Sequence, residues 1–169
     1  MTFEEELGKR EEFDLLAERQ NALRRARKEE WIQETKCLIN QIVSSLKKRE
    51  MQSWPVYVEN LDTTRRWGRT VYRYRKVGFG WYIISRDQDR FPDSFTICES
   101  GDIYTSGFRR FPEERTVTLG AGAKYEGLPK FGPYITCRQS NLISGDRWFD
   151  RSDFREWIKD SVFYTLKYR

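Results

Sequence analysis

Residues 65–76 read RRWGRTVYRYRK: six are Arg or Lys, three are aromatic and none is acidic. Basic side chains neutralise phosphates or carboxylates, and planar rings offer faces on which bases stack. Arg65, Arg66, Trp67, Arg69, Tyr72, Arg73, Tyr74, Arg75 and Lys76 are therefore candidates for binding a nucleic acid or an acidic protein. Arg109 and Arg110, in the run GFRRF, repeat the Arg–aromatic pairing further along the chain. In an extended strand Arg73 and Arg75 share a face with Val71 and Val77, while Tyr72 and Tyr74 share the other with Lys76. Neither face is purely apolar, so an exposed or edge strand is expected here.

Other runs carry less chemistry. GAGAK at residues 120–124 lacks the Ser or Thr and the following helix of a phosphate-binding loop, and reads as a flexible loop. Asp87, Asp89 and Asp93 share one stretch without the pattern of a calcium loop. Pro92-Asp93 with Glu99 has Gly101 where a metal-dependent nuclease core needs Lys. The chain has no histidine, which removes Ser-His and Cys-His nucleophile pairs and His metal ligands. Cys37, Cys98 and Cys137 are spaced neither as a disulfide framework nor as a zinc site, and read as buried reduced thiols. No catalytic residue, cofactor or metal is assigned, and the expectation is a non-enzymatic protein.

The charge is localised. The net charge is +5; residues 1–52 hold 11 basic and 11 acidic side chains, and residues 53–169 hold 20 and 15. The strip alone supplies the excess. The start of the chain lacks a signal peptide's apolar stretch and no run is long enough to span a membrane, so a cytoplasmic protein is expected.

Elements to hold these residues can be read from texture. Residues 1–52 contain no Pro, a single Gly and mostly strong helix formers. The expectation is one long helix, or two end to end, over about residues 9–51. Ile32, Thr35, Ile39, Ile42 and Leu46 step by three and four, with Leu38 and Val43 widening the seam. The earlier half carries a thinner stripe of Phe13, Leu16 and Leu23. It is expected to project, to be the helix a partner binds, and to offer a route to a homo-oligomer.

Residues 53–169 hold 23 of the chain's 26 aromatic residues, which promises an aromatic core despite a hydrophobic share of only 38%. Short β-rich runs follow one another: PVYVEN, RTVYRYRKV, GWYIIS, SFTICES, DIYTS, RTVTL and PYITCR. Ser100-Gly101 marks a hairpin. Residues 150–166 form a closing helix capped by Asp150 or Ser152, with Phe154, Trp157, Ile158 and Val162 as its apolar stripe. The class is α+β: a helical arm over residues 1–52, then a curved antiparallel sheet or partial barrel with the last helix packed on it. The first function that follows is a nucleic-acid-binding protein using the basic strip; the alternative is a protein–protein module, an adaptor, inhibitor or assembly factor, binding through the long helix and the basic surface.

Overall fold

A computed structural model describes residues 2–60, 64–66, 69–110 and 123–168. One helix, α1, runs unbroken over Phe3–Lys48. At 1.5 Å per residue it is about 69 Å long. It starts six residues earlier than the helix-former texture suggests because Thr2 and Glu5 make a capping box. The Thr2 amide donates to the Glu5 carboxylate at 2.8 Å and the Glu5 amide to the Thr2 hydroxyl at 3.4 Å. Glu4, Glu5 and Glu6 sit in the first turn and Lys47 and Lys48 in the last, as the helix dipole favours. The buried side is Trp31, Thr35, Ile39, Ile42, Val43 and Leu46.

Among the described residues seven strands follow: β1 (Trp54–Glu59), β2 (Thr64–Arg66), β3 (Arg69–Ile84), β4 (Ser94–Cys98), β5 (Ile103–Arg110), β6 (Ala123–Glu126) and β7 (Tyr134–Asn141). Five of them close a ring in the order β1, β3, β4, β5, β7 and back to β1. Consecutive strands of the ring are antiparallel. With five strands alternating in direction, the first and last must run the same way, so the seam β1–β7 is parallel, with Val56 opposite Ile135 and Val58 opposite Cys137. The β4–β5 hairpin turns at Ser100-Gly101, as the sequence indicates.

The β3 strand departs from expectation. The runs RTVYRYRKV and GWYIIS are one 16-residue strand, and it is the hub of the sheet rather than an edge: it pairs with β1, β2, β4 and β6. A register shift opposite Val56 and Tyr57 marks a bulge at Val77 and Gly78, where Gly78 takes a φ of 139°. That conformation suits only glycine, and it bends the strand. The second half closes the barrel while the first half leaves it as a ribbon with β2 and β6. β6 itself lies in a stretch that reads as loop, and residues 115–119 (RTVTL) fall outside the described residues.

Alternation along the strands makes two cores. Trp81 and Ile83 of β3, Phe95 and Ile97 of β4 and Ile103 of β5 face the helices, and join Trp31, Ile39, Leu46, Trp148, Phe154 and Trp157. Val56, Val58, Cys98, Tyr104, Ile135 and Cys137 fill the barrel. The closing helix, α2 (Phe154–Lys167), lays Phe154, Trp157, Ile158 and Val162 on the sheet. Its cap is Asp153, not Asp150 or Ser152, and no side chain caps it. Asp150 instead takes a positive φ of 60°, and the Asp153 carboxylate binds Arg151. Polar groups on α2 finish the end of β3. The Ile84 amide donates to the Thr165 hydroxyl at 3.0 Å, the Arg86 amide to Ser161 at 3.2 Å, and the Trp157 indole to Ser85 at 2.8 Å. Among the described residues no helix is long and apolar enough to cross a membrane.

Candidate interaction surfaces

The ribbon half of β3 separates the two chemistries of the basic strip. Parallel pairing with β6 sets Tyr72 opposite Tyr125 and Arg73 opposite Glu126. On one face Tyr72 and Tyr74 stack on Tyr125, with ring centres 5.2 and 6.2 Å away. All three rings are half-buried. Burial and the nearby Glu59 carboxylate raise the Tyr74 hydroxyl pKa well above its ordinary value, so the phenol stays neutral. Lys76 projects on the same side, and its ammonium lies 4.6 Å from the centre of the Phe79 ring. Beside this tier, Tyr57 meets Tyr134 edge to face at 5.9 Å.

The opposite face carries Arg73 and Arg75. Arg73 Nε lies 3.4 Å from the Glu126 carboxylate, which also takes Lys124 at 3.3 Å. The Lys124 hydrogen bond, followed by Arg73, holds the Glu126 carboxyl below the usual range. Arg73 is therefore partly neutralised within its own ribbon. Arg75 is exposed, lies near enough to Tyr104 to act on its hydroxyl, and makes no ion pair among the described residues. Arg65 pairs with Thr70 and Arg66 with Arg69 along the β2–β3 backbone, while Trp67 and the side chains of Arg65, Arg66 and Arg69 lie outside the described residues. Arg109 and Arg110 pair with Ile135 and Tyr134 on β7, and their strand, β5, does not pair with β3. Their side chains also lie outside the described residues. Thus Arg73, Arg75 and Lys76, adjacent in sequence, do not share one face.

The second surface is the first half of α1. From residue 2 to residue 27 every residue is exposed except the half-buried Ala17. Phe13, Leu16 and Leu23 are 72%, 57% and 67% exposed, and Phe3, Leu7 and Leu15 are open as well. The body takes hold of the helix where Lys28 Nζ meets the Asp146 carboxylate at 2.5 Å, with Trp31 buried just beyond. Leu23, Arg24 and Arg27 border a notch at this base, closed on the other side by Phe149 and Asp150.

Two further features lie outside what residue types suggest. A groove of about 510 Å³ opens between the C-terminal ends of the two helices, floored by Leu38, Ile42, Leu46 and Val162, with Arg49 and Lys167 on its rim. Its signal was split between two distant stretches of sequence. The barrel interior is partly polar: the Thr96 and Ser106 hydroxyls are 2.6 Å apart beside Cys137. Burial pushes the Cys137 thiol up to about 12 and raises Cys98 further, so neither offers a thiolate nucleophile near neutral pH. Cys37 corrects the reading of three buried thiols: it is unpaired and exposed on α1, on the side turned away from the sheet. Asp87 in the acidic loop is taken up by Arg90, whose Nε donates to it at 2.8 Å. Among the described residues no three side chains of metal-ligating type come together.

Comparison of the chain with protein-family models, curated proteins and solved structures finds no match.

Proposed function

We propose that this chain is a non-enzymatic interaction protein, in which the barrel is a rigid body and the free half of α1 is the element a protein partner binds. One observation carries this reading: Phe13, Leu16 and Leu23 stand exposed along one face of a helix that extends past the body, with Phe3, Leu7 and Leu15 open around it. A helix so exposed gains little from its own fold, and apolar groups held out in water in this number mark an interface. Unbridged cysteines and the lack of histidine are in keeping with a cytoplasmic, non-catalytic role. A photo-crosslinking residue placed at Leu16 or Leu23 should capture protein, while one at exposed Glu156 on α2 should not. Equal capture at both positions would remove the reason to single out the arm.

The tyrosine tier favours a second reading, binding of single-stranded nucleic acid. Tyr72, Tyr74 and Tyr125 supply ring faces and Lys76 a cation on the same side, with Arg75 exposed on the other face of the strand. An oligonucleotide should then bind with log affinity falling by about 0.7 per phosphate contact against log salt, and Lys76→Ala should flatten that slope. A slope unchanged by Lys76→Ala and Arg75→Ala together would end this reading.

A further inference from the structure

We infer that two copies of the chain pair through their arms, antiparallel, with the acidic first half of each arm lying on the basic second half of the other. The inference rests on the arm being the contact element and names its occupant as a second copy.

Charge is the first argument. Residues 3–14 carry six acidic and two basic side chains, and residues 15–28 carry one acidic and five basic. The helix dipole explains acids in the first turn, but its effect fades within a turn of either end. It does not reach Arg19, Arg24, Arg25 and Arg27, which sit mid-helix, far from its end at Lys48, and of these, among the described residues, Arg24 alone also acts on a body carboxylate, that of Asp146. Of the five basic side chains in residues 15–28, Lys28 alone makes an ion pair among the described residues. An arm that is negative in one half and positive in the other is complementary to itself in the antiparallel sense. Parallel pairing would set like charges together.

Geometry is the second. Phe13, Leu16, Gln20 and Leu23 step by three, four and three, so they share one face. The notch at the base opens on that face, since Gln20, Leu23, Arg24 and Arg27 all border it. A two-fold axis passing between Asp14 and Leu15 sets Phe13 of each arm against Leu16 of the other, and Glu5 against Arg24. Thr2 of one copy then reaches the level of Arg27 in the other, one residue before the body takes hold at Lys28. The free length of the arm equals the length such a pair can use, about 38 Å at 1.5 Å per residue, and the two bodies stand at opposite ends without collision. Such an interface is isologous, so each contact occurs twice.

The test is the mass of the full-length protein by analytical ultracentrifugation at two salt concentrations, with charge-reversed variants. A dimer that loosens in high salt is expected. Arg24→Glu with Arg27→Glu, both flanking that face, should weaken it about tenfold or more, as should Glu5→Arg with Glu6→Arg. All four changes in one chain should restore it, because the complementarity is swapped rather than lost. Leu16→Asp should abolish the dimer while leaving the thermal transition of the body in place. A monomer throughout, a dimer that survives deletion of residues 1–26, or four changes that fail to restore pairing would each overturn the proposal. If the protein is monomeric yet crosslinkers on the arm capture a different protein, self-pairing is overturned and the arm remains a contact element. If they capture nothing, both ideas fall.

Discussion

The two halves of α1 share one continuous backbone and carry similar numbers of large apolar residues, yet one half is core and the other is bare. In the docked half Trp31, Ile32, Leu38, Ile39, Ile42, Val43 and Leu46 fall within an arc of about 140° at 100° per residue. In the free half Phe3, Leu7, Phe13, Leu15, Leu16 and Leu23 scatter round the helix, with only Phe13, Leu16 and Leu23 forming a short stripe. Phase thus decides which side chains a sheet can cover. Length decides the rest: the helix runs past the body at Lys28, and nothing among the described residues covers residues 2–16. The lesson is that the number of apolar residues in a helix says little about burial; their angular spread and the reach of the body say more.

The two halves should differ most under the same kind of substitution, an apolar residue changed to Asp. Ile39 is 0% exposed, packed among Trp31, Leu46 and the sheet. Ile39→Asp should cost about 4 kcal/mol or more in urea unfolding, enough to unfold many domains of this size, because a charge is left buried without a partner. Leu16→Asp should change the unfolding free energy of the body by less than about 0.5 kcal/mol. Similar losses at both positions would erase the distinction between the halves.

The thiols report the same contrast between the helix's outer side and the packed body. Cys37 should react with a thiol reagent in the native protein, while Cys98 and Cys137 should react only on unfolding. The pH dependence has a definite sign. Folding raises the Cys137 pKa from near 9 to about 12, so the unfolded chain loses that proton first as pH rises. Its contribution to stability is complete below the unfolded value and declines between there and about pH 12. Cys137→Ser should reduce the alkaline slope in a series of unfolding curves; an unchanged slope would show that this thiol does not set it.

A smaller effect belongs to the cap. Thr2→Ala removes the hydroxyl that accepts from the Glu5 amide, and should destabilise the first turns by about 1 kcal/mol. Amide exchange should speed up near the N-terminus of α1 and stay unchanged from Trp31 onward. Faster exchange across the docked half would mean that the two halves open together.

The smallest change is expected from the largest deletion. Among the described residues, removing 1–26 takes away no side chain of either core, so the stability should stay within about 0.5 kcal/mol of the full chain's. A large loss would place the arm in the cooperative unit with the body.

Much of this fold could be read from residue order because the responsible forces are local. Helix formers without Pro, and a seam stepping by three and four, specify α1 and its buried side. Ser100-Gly101 between two β-rich runs specifies the β4–β5 hairpin. The stripe on Phe154, Trp157, Ile158 and Val162 specifies the side of α2 that meets the sheet. Alternation also separates Tyr72 and Tyr74 from Arg73 and Arg75, and the structure keeps them on opposite faces of β3. The capping box at Thr2 and Glu5 was equally readable, and its signature marks the helix start better than composition does.

What tertiary structure alone decided are the long-range pairings. The polarity of RTVYRYRKV suggests an edge, since charged side chains seldom sit in a covered sheet; but hydrogen-bond pairing concerns the backbone, and a strand can be central in pairing while its side chains reach solvent. The bulge at Val77 and Gly78 makes this so, bending one strand out of the barrel to pair on both sides. The parallel seam of β1 and β7 depends on closing a ring of five strands, which no local segment encodes. Arg73 finds Glu126, 53 residues away, only because β6 lies beside β3. Local propensity and periodicity act over one or two turns of chain; the meeting of distant segments depends on how the whole surface can be covered at once, and on whether anything covers the arm at all.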